Sequence, residues 1–143
     1  MLYGATRLGK TVWARSLGPH FYNHTTWTLA GLDETVAEYA VFDDMQNGLN
    51  TGYFSYKAWL GGQGQFGAQD KYQRKRNIIW GKPAIWLCNK DPREDFYMPG
   101  KNPDFEWLEG NCVFYELTET IFHASTSDQE HEALEDRSEL SPE

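Results

Sequence analysis

The octapeptide Gly4-Ala5-Thr6-Arg7-Leu8-Gly9-Lys10-Thr11 limits what this chain can fold into more than any other stretch. It satisfies G-x-x-x-x-G-K-[ST], the pattern of a phosphate-binding loop. Gly4 and Gly9 let the backbone pass closely around an anion with its N–H groups turned inward. Lys10 puts a positive charge on terminal phosphates, and the Thr11 hydroxyl is placed to hold Mg²⁺. Val12 to Leu17 reads as a helix whose N-terminus faces the anion, and Gly18-Pro19 ends it. Such a loop should follow a strand. Only Met1-Leu2-Tyr3 precedes it, against about 5–6 residues for an ordinary strand. The first strand is therefore expected to be truncated, as if the chain began inside a larger domain.

The chain has 143 residues, enough for one domain with a real core. Aromatic residues make up 15% of it and Trp occurs six times, which predicts a packed globule. It contains no apolar run of about 20 residues, so no membrane-spanning helix is expected, and no room for a signal peptide precedes the loop. Cys88 and Cys112 lie in apolar, strand-like runs and read as buried, reduced thiols. The net charge of −8 is unevenly spread. Nine of the 21 acids lie from Glu116 onward against one base, Arg137, and the remainder is neutral. That divides the chain into a body, 1–117, and an acidic tail, 118–143, expected to be solvated and disordered. Within the body, Lys57, Lys71, Arg74, Lys75, Arg76, Lys82 and Lys90 face Asp70 alone, a segment suited to a polyanion.

Tyr39-Ala40-Val41-Phe42-Asp43-Asp44 is an apolar run ending in two acids. It predicts a buried parallel strand with carboxylates at its C-terminal end, the edge where open α/β sheets bind ligands. With a phosphate loop upstream, Asp43 is the candidate Mg²⁺ ligand and Asp44 the group that orients or deprotonates water. Standing alone, the pair would read as a turn with two solvated acids. Ala84-Ile85-Trp86-Leu87-Cys88-Asn89 is a second such run. It would bring Asn89 beside the two acids to polarise the attacking water, where the alternative is a strand-end Asn capping a turn. Asn89-Lys90-Asp91 also approaches a guanine-reading motif, but its Asp is one position early and no D-x-x-G precedes it.

The other elements are shorter. Thr25 to Leu29 has strand-forming composition. His20 and His24 read as ordinary loop histidines rather than a metal pair, because no other ligands cluster near them. Tyr53 to Leu60 predicts a short helix. Phe66 to Trp80 predicts a hairpin with Lys71, Tyr72, Arg74, Lys75 and Arg76 around its tip, where cations meet phosphate and an aromatic ring stacks on bases. A solvated charged loop is the alternative. Phe105 to Glu109 reads as a helix stopped by Gly110-Asn111, and Cys112 to Leu117 as a last strand.

Gly4–Thr11, Val41-Phe42-Asp43-Asp44, the Lys57–Tyr72 segment and Leu87-Cys88-Asn89 resemble, in order, the Walker A, Walker B, B′ and C elements of superfamily 3 helicases. The variant is similar to the replication-initiator (Rep) proteins of small circular single-stranded DNA viruses. Together with the octapeptide, Trp13-Ala14-Arg15-Ser16-Leu17-Gly18 and Trp107-Leu108-Glu109-Gly110-Asn111-Cys112 look most like genomoviruses, then geminiviruses. The resemblance covers residues 1–117. It implies an α/β P-loop NTPase with an AAA-type, five-stranded parallel sheet flanked by helices. It implies ATP and Mg²⁺ as cofactors. It also implies single-stranded DNA and a homo-oligomer, hexameric when full length, as partners, and rolling-circle replication in the host nucleus. By motif position, Lys10 and Thr11 bind phosphate and Mg²⁺, Asp43 binds Mg²⁺, Asp44 is the base, Asn89 is the sensor, and Lys71 lies on a DNA-touching hairpin. Two departures stand out. Family members carry a nicking domain and an oligomerisation segment before this region, and this chain contains neither, so no nicking is expected of it. The only arginine between Asn89 and the tail, Arg93, does not match an arginine finger clearly. An inactive remnant that binds ATP or DNA without turnover is the competing reading. A small-molecule kinase is a weaker one, since Asp43, Asp44 and Asn89 suit hydrolysis better than transfer.

Overall fold

The computed structural model describes residues 1–96 and 104–121. Its strands are β1 (Leu2–Tyr3), β2 (His20–His24), β3 (Tyr39–Asp43), β4 (Gln65–Ala68), β5 (Arg76–Ile79), β6 (Ala84–Cys88) and β7 (Tyr115–Glu116). Its α-helices are α1 (Lys10–Arg15), α2 (Tyr56–Leu60) and α3 (Phe105–Asn111). Five strands form one parallel sheet in the order β2-β3-β6-β1-β7, and β4 and β5 form a separate antiparallel hairpin. A parallel five-stranded sheet flanked by helices is the expected α/β class, and it is compatible with a P-loop NTPase. No helix among the described residues is long and apolar enough to cross a membrane.

The sheet is covered on both faces, which is why β3 is buried at all five positions. Alternation along β3 sends Ala40 and Phe42 into a large aromatic core with Phe21, Trp27, Trp59 and Trp86. Tyr39 and Val41 point the other way, into a smaller cluster with Leu2, Ala14 and Leu87 beneath α1. The two-residue β1 sits between β6 and β7 rather than at an edge, pairing Leu2 with Leu87 and with Tyr115. Gly4 follows it under a tight constraint: a Cβ there would lie 2.3 Å from the Leu117 carbonyl oxygen.

Several expectations are corrected. The second strand is His20–His24, not Thr25 to Leu29, so both histidines lie at strand ends rather than in a loop. The reason is Asn23, whose buried side chain accepts from the Thr28 N–H (2.9 Å) and donates to the Thr28 carbonyl (3.0 Å). That locks residues 24–28 into a turn, with Thr25 at φ 68°. The last strand shrinks to Tyr115–Glu116. Cys88 and Cys112 are half-buried rather than buried, and the Cys88 thiol donates to the Lys90 carbonyl at 3.0 Å. The Ile121 N–H donates to the Leu8 carbonyl at 2.9 Å, so the chain touches the phosphate loop four residues past the expected body. The rest of the acidic tail lies outside the described residues.

Candidate functional site

Parallel register brings three strand ends to one place. Asp43 pairs with Leu87, and Tyr3 pairs with Cys88. Two backbone bonds continue the ladder past the strands: Gly4 N–H to the Cys88 carbonyl, and Asp44 N–H to the Leu87 carbonyl (3.2 and 3.0 Å). The phosphate loop, Asp43, Asp44 and Asn89 therefore share the C-terminal edge of the sheet, the ligand-binding edge of open α/β folds. They line an open cleft of about 350 Å³ with Thr6, Arg7, Gly9, Tyr22 and His24. A larger groove of about 480 Å³ lies against Leu2, Trp13, Ile85 and Leu117. Its lining has no Lys, Arg, Asp or Glu side chain to engage a phosphate, so the smaller cleft is the candidate site.

Within the cleft the contacts follow from chemistry. The Lys10 ammonium donates to the Gly4 and Ala5 carbonyls at 2.8 and 2.7 Å and approaches Asn89 Oδ1 at 3.4 Å. Burial lowers its pKa from the ordinary lysine value, with Cys88, Asp43 and Asp44 opposing the shift. The Thr11 hydroxyl donates to Asp43 Oδ2 at 2.7 Å, closing 32 residues of chain. Asp44 is exposed at φ 50°, a left-handed conformation that Asp tolerates better than most residues. Gly9, at φ 94°, ends the loop where the helix begins. Among the described residues, no group of three or more His, Cys, Asp or Glu side chains is placed to hold a metal by itself.

Tyr22 is a site residue that the sequence reading missed. Its phenol donates to Asp43 Oδ2 at 2.7 Å, and burial with that bond pushes its pKa up to about 12. No motif marks it. Only the β2 register, which sets Tyr22 opposite Val41 and so next to Asp43 on one sheet face, reveals it.

The loop after Asn89 is held by Arg93. Its guanidinium makes a two-pronged pair with Asp91 (2.9 and 2.7 Å), reaches Glu109 at 3.2 Å and lies 4.5 Å from the centre of the Phe114 ring. Those bonds commit it within its own chain. The guanidinium holds the Asp91 carboxyl below its ordinary pKa. A depressed carboxylate pKa contributes stability that is present above about pH 4 and lost as pH falls through the lower folded value. Asp91→Asn is expected to cost roughly 1 kcal/mol at pH 7, since the pair is partly solvated, and nothing at strongly acid pH. Denaturant titrations at both pH values check it.

The hairpin forms as expected, with Ala68 opposite Arg76 and residues 69–75 at its tip. Asp70 Oδ2 accepts from Thr28 Oγ1 and the Leu29 N–H, and Trp27 Nε1 donates to the Gln69 carbonyl, so the start of the tip loop is pinned to the segment that follows β2. Lys71, Tyr72, Arg74 and Lys75 are exposed, Tyr72 at 89%. Arg76 is set apart from them. It starts β5 opposite Ala68, where the tip loop closes, and is paired with Glu34 at 2.6 Å.

No family model matches the chain. It is 36% identical over 126 residues to the replication-associated protein of Bean yellow dwarf virus, covering 87% of this chain and 36% of that protein. The same figures hold for the replication-associated protein of Tobacco yellow dwarf virus (strain Australia). Its counterpart from Chloris striate mosaic virus is 33% identical over 114 residues, covering 80% of this chain and 30% of that protein. Over most of its length the chain is therefore homologous to viral replication-associated proteins, of which it spans about a third.

Proposed function

We propose that this chain is the ATP-hydrolysing helicase part of a viral replication initiator, acting on single-stranded DNA during rolling-circle replication. The observation that carries the reading is the Thr11 hydroxyl on Asp43 at 2.7 Å, with the Lys10 ammonium beside it, at the C-terminal edge of a parallel sheet. Gly4–Thr11 cradles the phosphates, with Lys10 as its charge. Thr11 and Asp43 offer hard oxygen donors, and no protein-only metal cage stands nearby among the described residues. That donor set suits Mg²⁺ shared with phosphate oxygens. The bound ion would neutralise charge developing on the transferred phosphoryl group. Asp44 accepts the proton of the attacking water, and Asn89 orients it. The strand leading to Asn89, β6, lies between β1 and β3, which supports an AAA-type arrangement. The exposed Lys71, Tyr72, Arg74 and Lys75 form the DNA contact, with Arg76 bracing the hairpin. Assembly into a hexameric ring and work in the host nucleus belong to the same proposal.

Steady-state ATP hydrolysis with Mg²⁺, with and without single-stranded DNA, tests it. Turnover that rises with DNA is the expected result. The double change Lys71→Ala with Arg74→Ala is expected to weaken DNA binding about tenfold, and to lower the slope of log affinity against log salt by roughly 0.7 per lost phosphate contact. A folded chain that binds ATP or DNA without turnover would favour the remnant reading.

A further inference from the structure

Asp43 Oδ2 receives two hydroxyl donors, Thr11 Oγ1 and Tyr22 OH, each at 2.7 Å. Both bonds fall on the same oxygen. Among the described residues Oδ1 accepts none, so the carboxylate is turned with one oxygen saturated and the other available. Tyr22 is itself held. The Arg15 guanidinium lies 3.8 Å from the centre of its ring. Arg15 Nε donates to His20 Nε2 at 3.1 Å, and His20 Nδ1 lies 2.8 Å from the Gly18 carbonyl. A carbonyl only accepts, so Nδ1 carries the ring proton and Nε2 is the acceptor for Arg15. These partners make a chain from the end of α1 through β2 to the carboxylate.

We propose that Tyr22 is a positioning residue for Asp43: its phenol fixes the carboxylate so that Oδ1 is presented to the Mg²⁺ of a bound nucleoside triphosphate. The inference rests on the nucleotide-binding reading above. It assigns Tyr22 no contact with phosphate or with the attacking water. Outer hydrogen-bond partners of a metal-ligating carboxylate typically govern 10–100-fold in metal affinity. An unfixed Asp43 would also spend rotamer freedom each time the ion binds.

The test uses the full chain and a non-hydrolysable ATP analogue, with affinity measured in EDTA and across a Mg²⁺ titration. Tyr22→Phe keeps the ring on Arg15 and removes only the hydroxyl. It is expected to raise the Mg²⁺ midpoint about tenfold, well beyond any change of affinity in EDTA. Arg15→Ala loosens the ring without touching the carboxylate and is expected to move the midpoint the same way by a smaller factor. In the double variant with Asp43→Asn, loss of Tyr22 adds nothing further, because its effect passes through that carboxylate. Unmoved midpoints in both single variants overturn the proposal. So does an equal loss in EDTA and in Mg²⁺, or an additive double variant. An unaltered chain whose affinity does not depend on Mg²⁺ at all overturns the nucleotide reading together with this one.

Discussion

Lys10→Ala is expected to lower ATP hydrolysis by about 10²–10³-fold, the usual loss when one electrostatic stabiliser is removed from a transition state. The geometry supports an effect on chemistry rather than on folding. Lys10 is 8% exposed, and its ammonium spans the loop to the Gly4 and Ala5 carbonyls. Burial lowers its pKa, so the fold disfavours the charged form. A cation kept at a desolvation cost adds little to stability. The sign follows: this group subtracts from stability below its folded pKa, and the deficit fades as pH rises through that value. Removing it should therefore leave the unfolding free energy within about 1 kcal/mol, while hydrolysis collapses. Both are read on the same sample. Activity retained within tenfold would mean that this amine does not meet the transferred phosphate, and a large loss of stability would make the kinetic loss uninformative.

The same residues show what a sequence can carry. Gly4–Thr11 stands out by its glycine-lysine-threonine pattern, and Asp43, Asp44 and Asn89 by ending apolar runs, whose ends a parallel sheet delivers to one edge. The hairpin was legible because two β-prone arms flank a basic centre. Contacts between distant positions were not. Arg76 looks like its neighbours in sequence, yet Glu34, 42 residues earlier, takes its guanidinium. Thr25 to Leu29 is strand-forming by composition, but one buried Asn side chain overrides that preference by satisfying both backbone polar groups of Thr28. Tyr22 carries no motif, and its role exists only through strand register. The Arg93 side chain likewise acquires its partners only when Asp91, Glu109 and Phe114 come together.

Trp59→Ala is expected to destabilise the chain by about 3 kcal/mol. Trp59 lies on α2 with no exposed surface. Its ring centre is 5.0–5.7 Å from those of Phe66, Trp80, Phe21, Trp27 and Phe42. Replacing a buried Trp with Ala typically costs 3–5 kcal/mol through lost burial and the cavity left behind. The lower end applies here because the buried indole N–H has no partner among the described residues, and removing it returns roughly 1 kcal/mol. Trp59→Phe removes the same N–H, leaves a smaller cavity and should cost about 1–2 kcal/mol. Denaturant unfolding followed by far-ultraviolet circular dichroism measures both. The functional consequence should be unequal. Phe66 in β4 and Trp80 just after β5 rest on Trp59, which packs on the face of the sheet carrying the larger core, whereas α1 and Ala14 pack on the other face. Loss of the ring frees the hairpin from its base while β1, β3 and β6 still hold the cleft. At a temperature where the variant remains folded, affinity for single-stranded DNA should therefore fall several-fold more than affinity for the nucleotide. Equal losses would show instead that the two faces of the sheet yield together.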